Sequence, residues 1–279
     1  MKRLLSIELQ KLWLNRSSRI LIISYFILLS FIAFMASIEF TLFGQTIKLA
    51  DQGIFNFPFI WHFNSYVAVL LKGFLGIVIV SMMANEYTYG TLKQNLIDGL
   101  SKKEFIESKI LTVAVFAGAS TAFIFIMTLI LGYCFSSFTE ASIVFSELHF
   151  IVAYFFNLLG FFSVCLFAGI LIKRSAFALG FIIVLYIVEW LSVPLMRFGI
   201  GLDEETTWNI FQFFPMESIS RLLVHPGERF NAIRTINALA GGDTAEVDYS
   251  IPWYTFAIAL SWTGIFMYLS YRTLQKRDL

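Results

Sequence analysis

The chain has 279 residues, of which 58% are hydrophobic and only 14% charged, with a net charge of +1 and a mean hydropathy of +0.77. Soluble domains carry about 25% charged residues, so this composition excludes an ordinary soluble domain. The net charge gives no information about nucleic acid, and no basic run is long enough to suggest a nucleic-acid partner, so none is predicted. The sequence therefore predicts an all-α, polytopic protein embedded in the lipid bilayer.

The first 19 residues precede the first long apolar run and have a pattern of their own. Leu5, Leu9, Leu12 and Trp13 recur at helical spacing, while basic and amide side chains lie elsewhere on the helix. Such a pattern is typical of an amphipathic helix that lies on the membrane surface. Residues 1–19 are predicted to be this interface helix; the alternative is a basic flank that only sets the topology.

Six apolar runs follow, and each is long enough for a membrane span, which takes about 20 residues. The second run is interrupted by Lys72 and the fifth by Glu189. The predicted spans are residues 20–38, 59–84, 109–135, 149–172, 175–196 and 252–271.

The distribution of lysine and arginine predicts that both termini are cytoplasmic. With that orientation, 14 of the 20 basic residues lie on the cytoplasmic side and 5 outside, and Lys72 remains in the membrane. This bias agrees with the positive-inside rule. Residues 85–109 then form a cytoplasmic segment, and residues 197–251 an outward-facing loop of short helices interrupted by Pro215 and Pro226.

The cytoplasmic segment NEYTYGTLKQNLIDGLSKKEFIESK is far more polar than the runs beside it. Gly99 suits the end of a short helix, and Ser101 with Glu104 forms a capping box that starts the next one. The segment is therefore predicted to be a rigid projection, with an ordinary solvated loop as the alternative. The residues expected on one face of its short helix are Thr91, Leu92, Leu96 and Ile97.

The run ANEYTYGTLKQNLIDGLSKKEFIESKIL resembles the cytoplasmic signature of permeases of type-2 ABC exporters, which have the type V exporter fold. In that signature a Glu ends the second span, a Gly-Thr pair and an apolar helix follow, and a Ser-basic turn leads to a Lys that opens the third span. Many members carry Arg where this chain has Lys102. The C-terminal YRTLQKRDL resembles the family's short basic ending. The matching positions are Glu86, Gly90, Thr91, Leu92, Leu96, Ser101, Lys102 and Lys109.

The resemblance implies that this segment, including Tyr87, is a coupling helix that docks on a separate ABC ATP-binding subunit. It also implies a second permease copy or paralogue and a location in the cell (inner) membrane. No G-x-x-x-x-G-K-[ST] loop occurs in the chain. The chain is therefore expected to bind no cofactor and to be no enzyme itself, with ATP and Mg²⁺ held by the partner subunit.

Lys72 and Glu189 are predicted to lie at similar depth, roughly 21–23 Å from the cytoplasmic boundary at about 1.5 Å per residue. Charges inside a membrane are costly and commonly face a cavity or a partner. In the family the second and fifth helices line the substrate path, so both side chains are assigned to it, with a direct Lys72–Glu189 pair as a hypothesis. The alternative is that Lys72 snorkels outward and Glu189 lies at the outer interface.

Other classes of function find less support in the sequence. His62, His149 and His225 are far apart, and Cys134 and Cys165 match no metal-ligand spacing, so no metal or catalytic site is predicted. A secondary transporter is expected to show internal repeats. Two alternatives to an ATP-driven exporter stay open: a non-transporting membrane anchor of a secretion or motility complex, and an ATP-independent secondary transporter.

Overall fold

The computed structural model describes residues 2–36, 38–42, 45–48, 54–227 and 249–277. Helices account for most of this part of the chain, as predicted, and two short strands add an antiparallel hairpin. The elements of the first half are α1 (Lys2–Leu14), α2 (Arg16–Ala36), β1 (Glu39–Leu42), β2 (Gln45–Lys48), α3 (Phe59–Leu70), α4 (Lys72–Thr88), α5 (Thr91–Ile97) and α6 (Lys102–Phe135). Those of the second half are α7 (Ala141–Val144), α8 (His149–Ile172), α9 (Ser175–Pro194), a π-helical turn (Leu195–Gly199), α10 (Glu204–Phe211), α11 (Pro215–Ser220) and α12 (Trp253–Gln275).

Three helical stretches are long and apolar enough to cross a membrane on their own, namely Lys102–Phe135, Ala141–Ile172 and Ser175–Gly199. Two bent pairs raise the number to five: α1 with α2, which meet at 88°, and α3 with α4, which meet at 44°. The sixth predicted span corresponds to α12, which is 23 residues long but is not among these candidates. Six spans were predicted. Within the described residues, three to five of them are supported by helices of sufficient length and hydropathy.

The second predicted span, residues 59–84, is two helices rather than one. The break falls at Leu71, between Leu70 and Lys72. The predicted third span also begins earlier than expected, because the capping box at Ser101 starts α6 at Lys102. The predicted fourth span, residues 149–172, has the same bounds as α8.

Helix α8 forms the centre of the bundle, where it packs against α4, α6, α9 and α12. Its approach to α4 depends on glycines: an added Cβ on Gly76 would lie 2.7 Å from Phe161 Cε1, and one on Gly169 would lie 3.0 Å from Met83 Cβ. Small residues allow helix backbones to come close together in membrane proteins. The centre of the bundle is therefore packed too tightly at these two points for a larger residue.

Polar side chains inside the bundle are joined to one another. The hydroxyl groups of Tyr25, Ser120 and Tyr154 form a triangle with oxygen–oxygen distances of 2.6, 2.6 and 2.7 Å. All three side chains are fully buried, and they link α2, α6 and α8. Since a buried hydroxyl without a partner is costly, this triangle also specifies how the three helices align.

The bundle has two ends that differ in character. Helix α5, the start of α6 and the end of α12 lie at one end, called the α5 end. Helices α10 and α11 lie at the other, the α11 end, and they correspond to the short helices predicted in the loop 197–251. Pro215 is the first residue of α11, a position that suits proline because no backbone N–H is required there. Residues 228–248 of that predicted loop lie outside the described residues.

Candidate functional site

Four charged side chains form a closed ring at the α5 end, called the charge cluster: Glu8, Lys11, Glu86 and Lys109. The Lys109 ammonium lies 2.5 Å from a Glu8 carboxylate oxygen and 2.7 Å from one of Glu86. The Lys11 ammonium lies 3.3 Å from Glu8 and 3.0 Å from Glu86. Lys109 is 0% exposed, so its charge is tolerated only because both carboxylates surround it. The ring has no net charge and joins α1, α4 and α6.

The first residue of α5 is attached to this cluster. Thr91 Oγ1 donates a hydrogen bond of 2.5 Å to the second carboxylate oxygen of Glu86. The chain turns into α5 at Gly90, whose φ of +68° lies in the left-handed region that favours glycine. Three of the residues assigned to coupling from the sequence, Glu86, Thr91 and Lys109, are thus in direct contact through one carboxylate.

The four residues expected on one face of α5 are divided between two faces. Leu92 is 2% exposed and belongs to the protein core, and Leu96 packs against that core. Ile97 is 75% exposed, and Tyr89, just before α5, is 71% exposed. The single-face prediction is wrong because the helix uses its leucines to hold itself against its own bundle. The large apolar side chains that this segment exposes are Tyr89 and Ile97.

The turn between α5 and α6 has the glycine and the capping box that the sequence predicted. Gly99 has a φ of +98° directly after α5. The Ser101 hydroxyl accepts the backbone N–H of Glu104, and the Glu104 carboxylate accepts the backbone N–H of Ser101. This confirms the predicted capping box, which fixes the start of α6 relative to α5.

Tyr87 and Lys102, the two other residues assigned to coupling, contact the C-terminal tail of this chain. Lys102 Nζ donates to the backbone oxygens of Gln275 and Arg277 at 3.1 and 2.8 Å. The Tyr87 hydroxyl accepts a hydrogen bond of 3.1 Å from the Arg277 guanidinium. The name tail clasp is used below for Tyr87, Lys102 and Arg277.

Arg277 also closes the end of the central helix. Its guanidinium donates to the backbone oxygens of Ile170 and, at 2.6 Å, Leu171. A cation at a helix C-terminus satisfies carbonyl groups that have no partner within the helix. The tail therefore joins α8, α4 and α6 at the α5 end.

Glu189 holds the N-terminus of α11. Its carboxylate accepts the backbone N–H groups of Met216 at 3.0 Å and Glu217 at 3.1 Å. The side chain is buried. An anion at a helix N-terminus is favoured because the free N–H groups carry partial positive charge.

Lys72 is connected to the opposite side of the same short helix. Lys72 Nζ donates to Asn157 Oδ1 at 3.0 Å, and Asn157 Nδ2 donates to the backbone oxygen of Ile219 in α11 at 2.6 Å. Among the described residues Lys72 and Glu189 form no ion pair with each other. The hypothesis of a direct pair is wrong, since Glu189 binds the N-terminus of α11 while Lys72 binds Asn157, which in turn binds Ile219 of the same helix.

A cavity of about 870 Å³ lies beside α11, bordered by α3, α4, α8, α9 and the start of α12. It is called the α11 cavity below. Lys72 borders it, whereas Glu189 is buried against α11; the assignment of the two residues to a substrate path stays a prediction. Representative lining residues are Tyr66, Lys72, Gly73, Phe161, Tyr186 and Arg221.

Comparison with protein families gives a match that covers most of the chain. The model of an ABC-2 family transporter protein matches residues 4–189. The chain belongs to the ABC-2 transporter family. A search of curated proteins finds no match.

Membership of the ABC-2 family identifies the chain as a membrane permease of an ABC transporter and implies a partnership with an ABC ATP-binding subunit. Together with the apolar helices, it indicates a multi-pass membrane protein. The matched residues include the whole charge cluster, α5 and Lys72, and they end at Glu189. The sequence resemblance to this family is therefore confirmed.

Sequence reasoning missed several residues of the ABC-2 permease that the structure brings to these sites. Lys11 was predicted only as a basic residue of the interface helix and Glu8 was given no role there, although a lone acid three residues before a lysine in a basic segment is a usable signal. Tyr89 lies within the quoted run but at none of the matching positions, and Asn157 carries no charge and no motif, so only the three-dimensional structure reveals them.

Proposed function

We propose that this ABC-2 permease is the membrane subunit of an ATP-driven exporter and that α5 docks on its ATP-binding partner. In this proposal ATP and Mg²⁺ are bound by the partner, and no catalytic residue belongs to this chain. The α5 end and both termini face the cytoplasm, α1 lies along the inner-membrane surface, and a second permease copy or paralogue completes the pathway.

The observation that carries the proposal is the contrast within α5. One side of the helix is buried in the bundle through Leu92, while Tyr89 and Ile97 expose large apolar groups beside the charged side chains of Lys93 and Asp98. Exposed apolar groups with a polar rim are typical of protein–protein contacts. A helix of seven residues that is fixed on one side and exposes a large apolar group among polar side chains on the other is suited to docking.

The charge cluster supports a coupling role for the same helix. A push on α5 reaches Glu86 through Thr91, and Glu86 is bonded to Lys109 on α6 and Lys11 on α1. Because every member is bonded to its neighbours, the three helices are expected to move together with α5. Networks of hydrogen bonds and salt bridges are one physical means of such transmission.

Purification of the tagged chain from its native membranes in mild detergent tests the proposal. An ATP-binding subunit is expected to copurify in stoichiometric amount, and the double variant Tyr89→Ser, Ile97→Ser is expected to lose most of it. The control Phe177→Ser, Ile183→Ser changes two exposed apolar residues on α9 and is expected to retain the subunit. Recovery of the wild-type chain alone in several mild detergents would favour a secondary transporter or a membrane anchor.

A further inference from the structure

We infer that the α11 cavity binds an amphipathic organic anion and that Lys72 pairs with its anionic group. The inference rests on the proposed function only in treating this ligand as transported cargo, since binding itself requires no ATP-binding subunit. The cavity is formed within one permease chain and lies beside α11, away from the charge cluster and the docking surface of α5.

The charge of Lys72 is the first reason. Its side chain is 8% exposed and borders the cavity. In the part of the chain that the structure describes, no carboxylate lies within 4 Å of its ammonium, which donates to the neutral amide oxygen of Asn157 and lies 4.8 Å from the centre of the Phe161 ring. An ammonium has three donors, and a buried cation without an anion is costly. An anionic ligand would remove that cost.

The other charged groups of the cavity do not replace this anion. The Glu217 carboxylate is bound by Arg221 at 2.8 Å, so this pair adds no net charge. The His225 Nδ1 atom accepts the backbone N–H of Gly227 at 2.9 Å. The described lining thus has a net positive charge at Lys72, and a cationic ligand would be repelled there.

The remaining walls suit an apolar body. Aromatic rings from four parts of the chain line the cavity: Tyr66, Phe161, Tyr186 and Tyr254. Ligand pockets commonly have volumes of about 300–1,000 Å³, with mostly apolar and aromatic walls and a few polar groups. At about 870 Å³, this cavity admits a molecule of several rings or a folded acyl chain, with its anionic end at Lys72.

Two naphthalene dyes that differ only in one sulfonate group test the inference. The purified chain in nanodiscs of zwitterionic lipid is titrated with 1-anilinonaphthalene-8-sulfonate and with its neutral analogue N-phenyl-1-naphthylamine. Saturable binding of the anion at least tenfold tighter than that of the neutral dye is expected. Equal affinities, or no saturable binding of the anion, would overturn the inference.

Variants assign the binding to the cavity. Lys72→Gln is expected to weaken binding of the anion at least tenfold and to leave the neutral dye unchanged, while Lys72→Arg keeps the preference. Gly73 lines the cavity, and an added Cβ there meets no atom within 4 Å. The variant Gly73→Leu therefore fills part of the cavity and keeps Lys72, and it is expected to weaken the binding of both dyes. The matched control Gly180→Leu, also in open space, is expected to change neither.

The dye-binding experiment and the copurification experiment can fail independently of each other. If Lys72→Gln and Gly73→Leu both elute as folded protein and bind the anion like wild type, the inference is wrong even when the ATP-binding subunit copurifies. If the subunit is absent but the charge-dependent binding is present, the inference holds and the proposed function is wrong.

Discussion

Lys109 is enclosed by the two carboxylates of Glu8 and Glu86, so its removal leaves two buried negative charges with only Lys11 between them. Breaking a buried ion pair by removing one partner costs about 3–5 kcal/mol. Lys109→Met is expected to lower the free energy of unfolding by that amount, measured by chemical unfolding in mixed micelles.

The control for Lys109→Met is Lys103→Met on the same helix. Lys103 lies 3.8 Å from Glu107, and its side chain is 69% exposed, so its loss is expected to cost less than about 1 kcal/mol. The double variant Lys109→Met, Glu8→Gln removes one excess negative charge and is expected to recover part of the loss. Equal effects of the two single variants would contradict the charge cluster.

Glu189 contributes through backbone groups instead of a side-chain partner. Glu189→Leu leaves the N–H groups of Met216 and Glu217 without their acceptor, at a cost of about 1–3 kcal/mol for each buried group. We expect a lower melting temperature and faster hydrogen exchange in α11. Glu205→Leu, an exposed glutamate on α10, serves as the control, and a similar melting temperature for both variants would be evidence against the capping role.

Single residues show where sequence reasoning is sufficient and where it is not. Lys72 and Glu189 were found because a charge in an apolar run is conspicuous. Their partners were not found, because an amide such as Asn157 and two backbone N–H groups carry no charge to search for. The cluster was half found: Glu86 and Lys109 belong to one motif, whereas Glu8 is 101 residues from Lys109 in the chain.

Two glycines of α4 differ in the space beside them, because Gly76 lies where α4 and α8 meet closely and Gly73 does not. Gly76→Ala brings a Cβ to 2.7 Å from Phe161 Cε1, whereas Gly73→Ala, one turn away, meets no atom within 4 Å. Overpacking of this kind costs about 1–3 kcal/mol, while alanine in open space favours the helix by up to about 1 kcal/mol. Thermal unfolding of the pair is expected to show a destabilised Gly76→Ala and an unchanged or stabilised Gly73→Ala.

The helices themselves were largely predictable because each apolar run has the length of a span and clear polar ends. The capping box gave the start of α6, and Gly99 gave the end of α5. The break at Leu71 was not predicted, since no proline marks it. The faces of α5 were also missed, because the spacing of four apolar residues does not tell which of them the bundle covers.

At the scale of the whole molecule, the α5 end combines the proposed docking surface, the charge cluster and the tail clasp. The tail clasp is expected to keep the α5 end in one arrangement, because Arg277 bonds both Tyr87 and the end of α8. Arg277→Ala is expected to raise hydrogen exchange at the end of α8 and in α5, without a change in the α11 end. Unchanged exchange at both ends would contradict this role of the tail.

The most direct test of the central claim, that α5 docks on an ATP-binding subunit, is site-specific photocrosslinking in living cells. A photoreactive phenylalanine analogue is placed either at Ile97, which is 75% exposed, or at Leu92, which is 2% exposed. The account predicts a crosslinked product with an ABC ATP-binding protein from position 97 and none from position 92. Crosslinks from position 97 to lipid or to copies of this chain alone, with no ATP-binding protein, would contradict it.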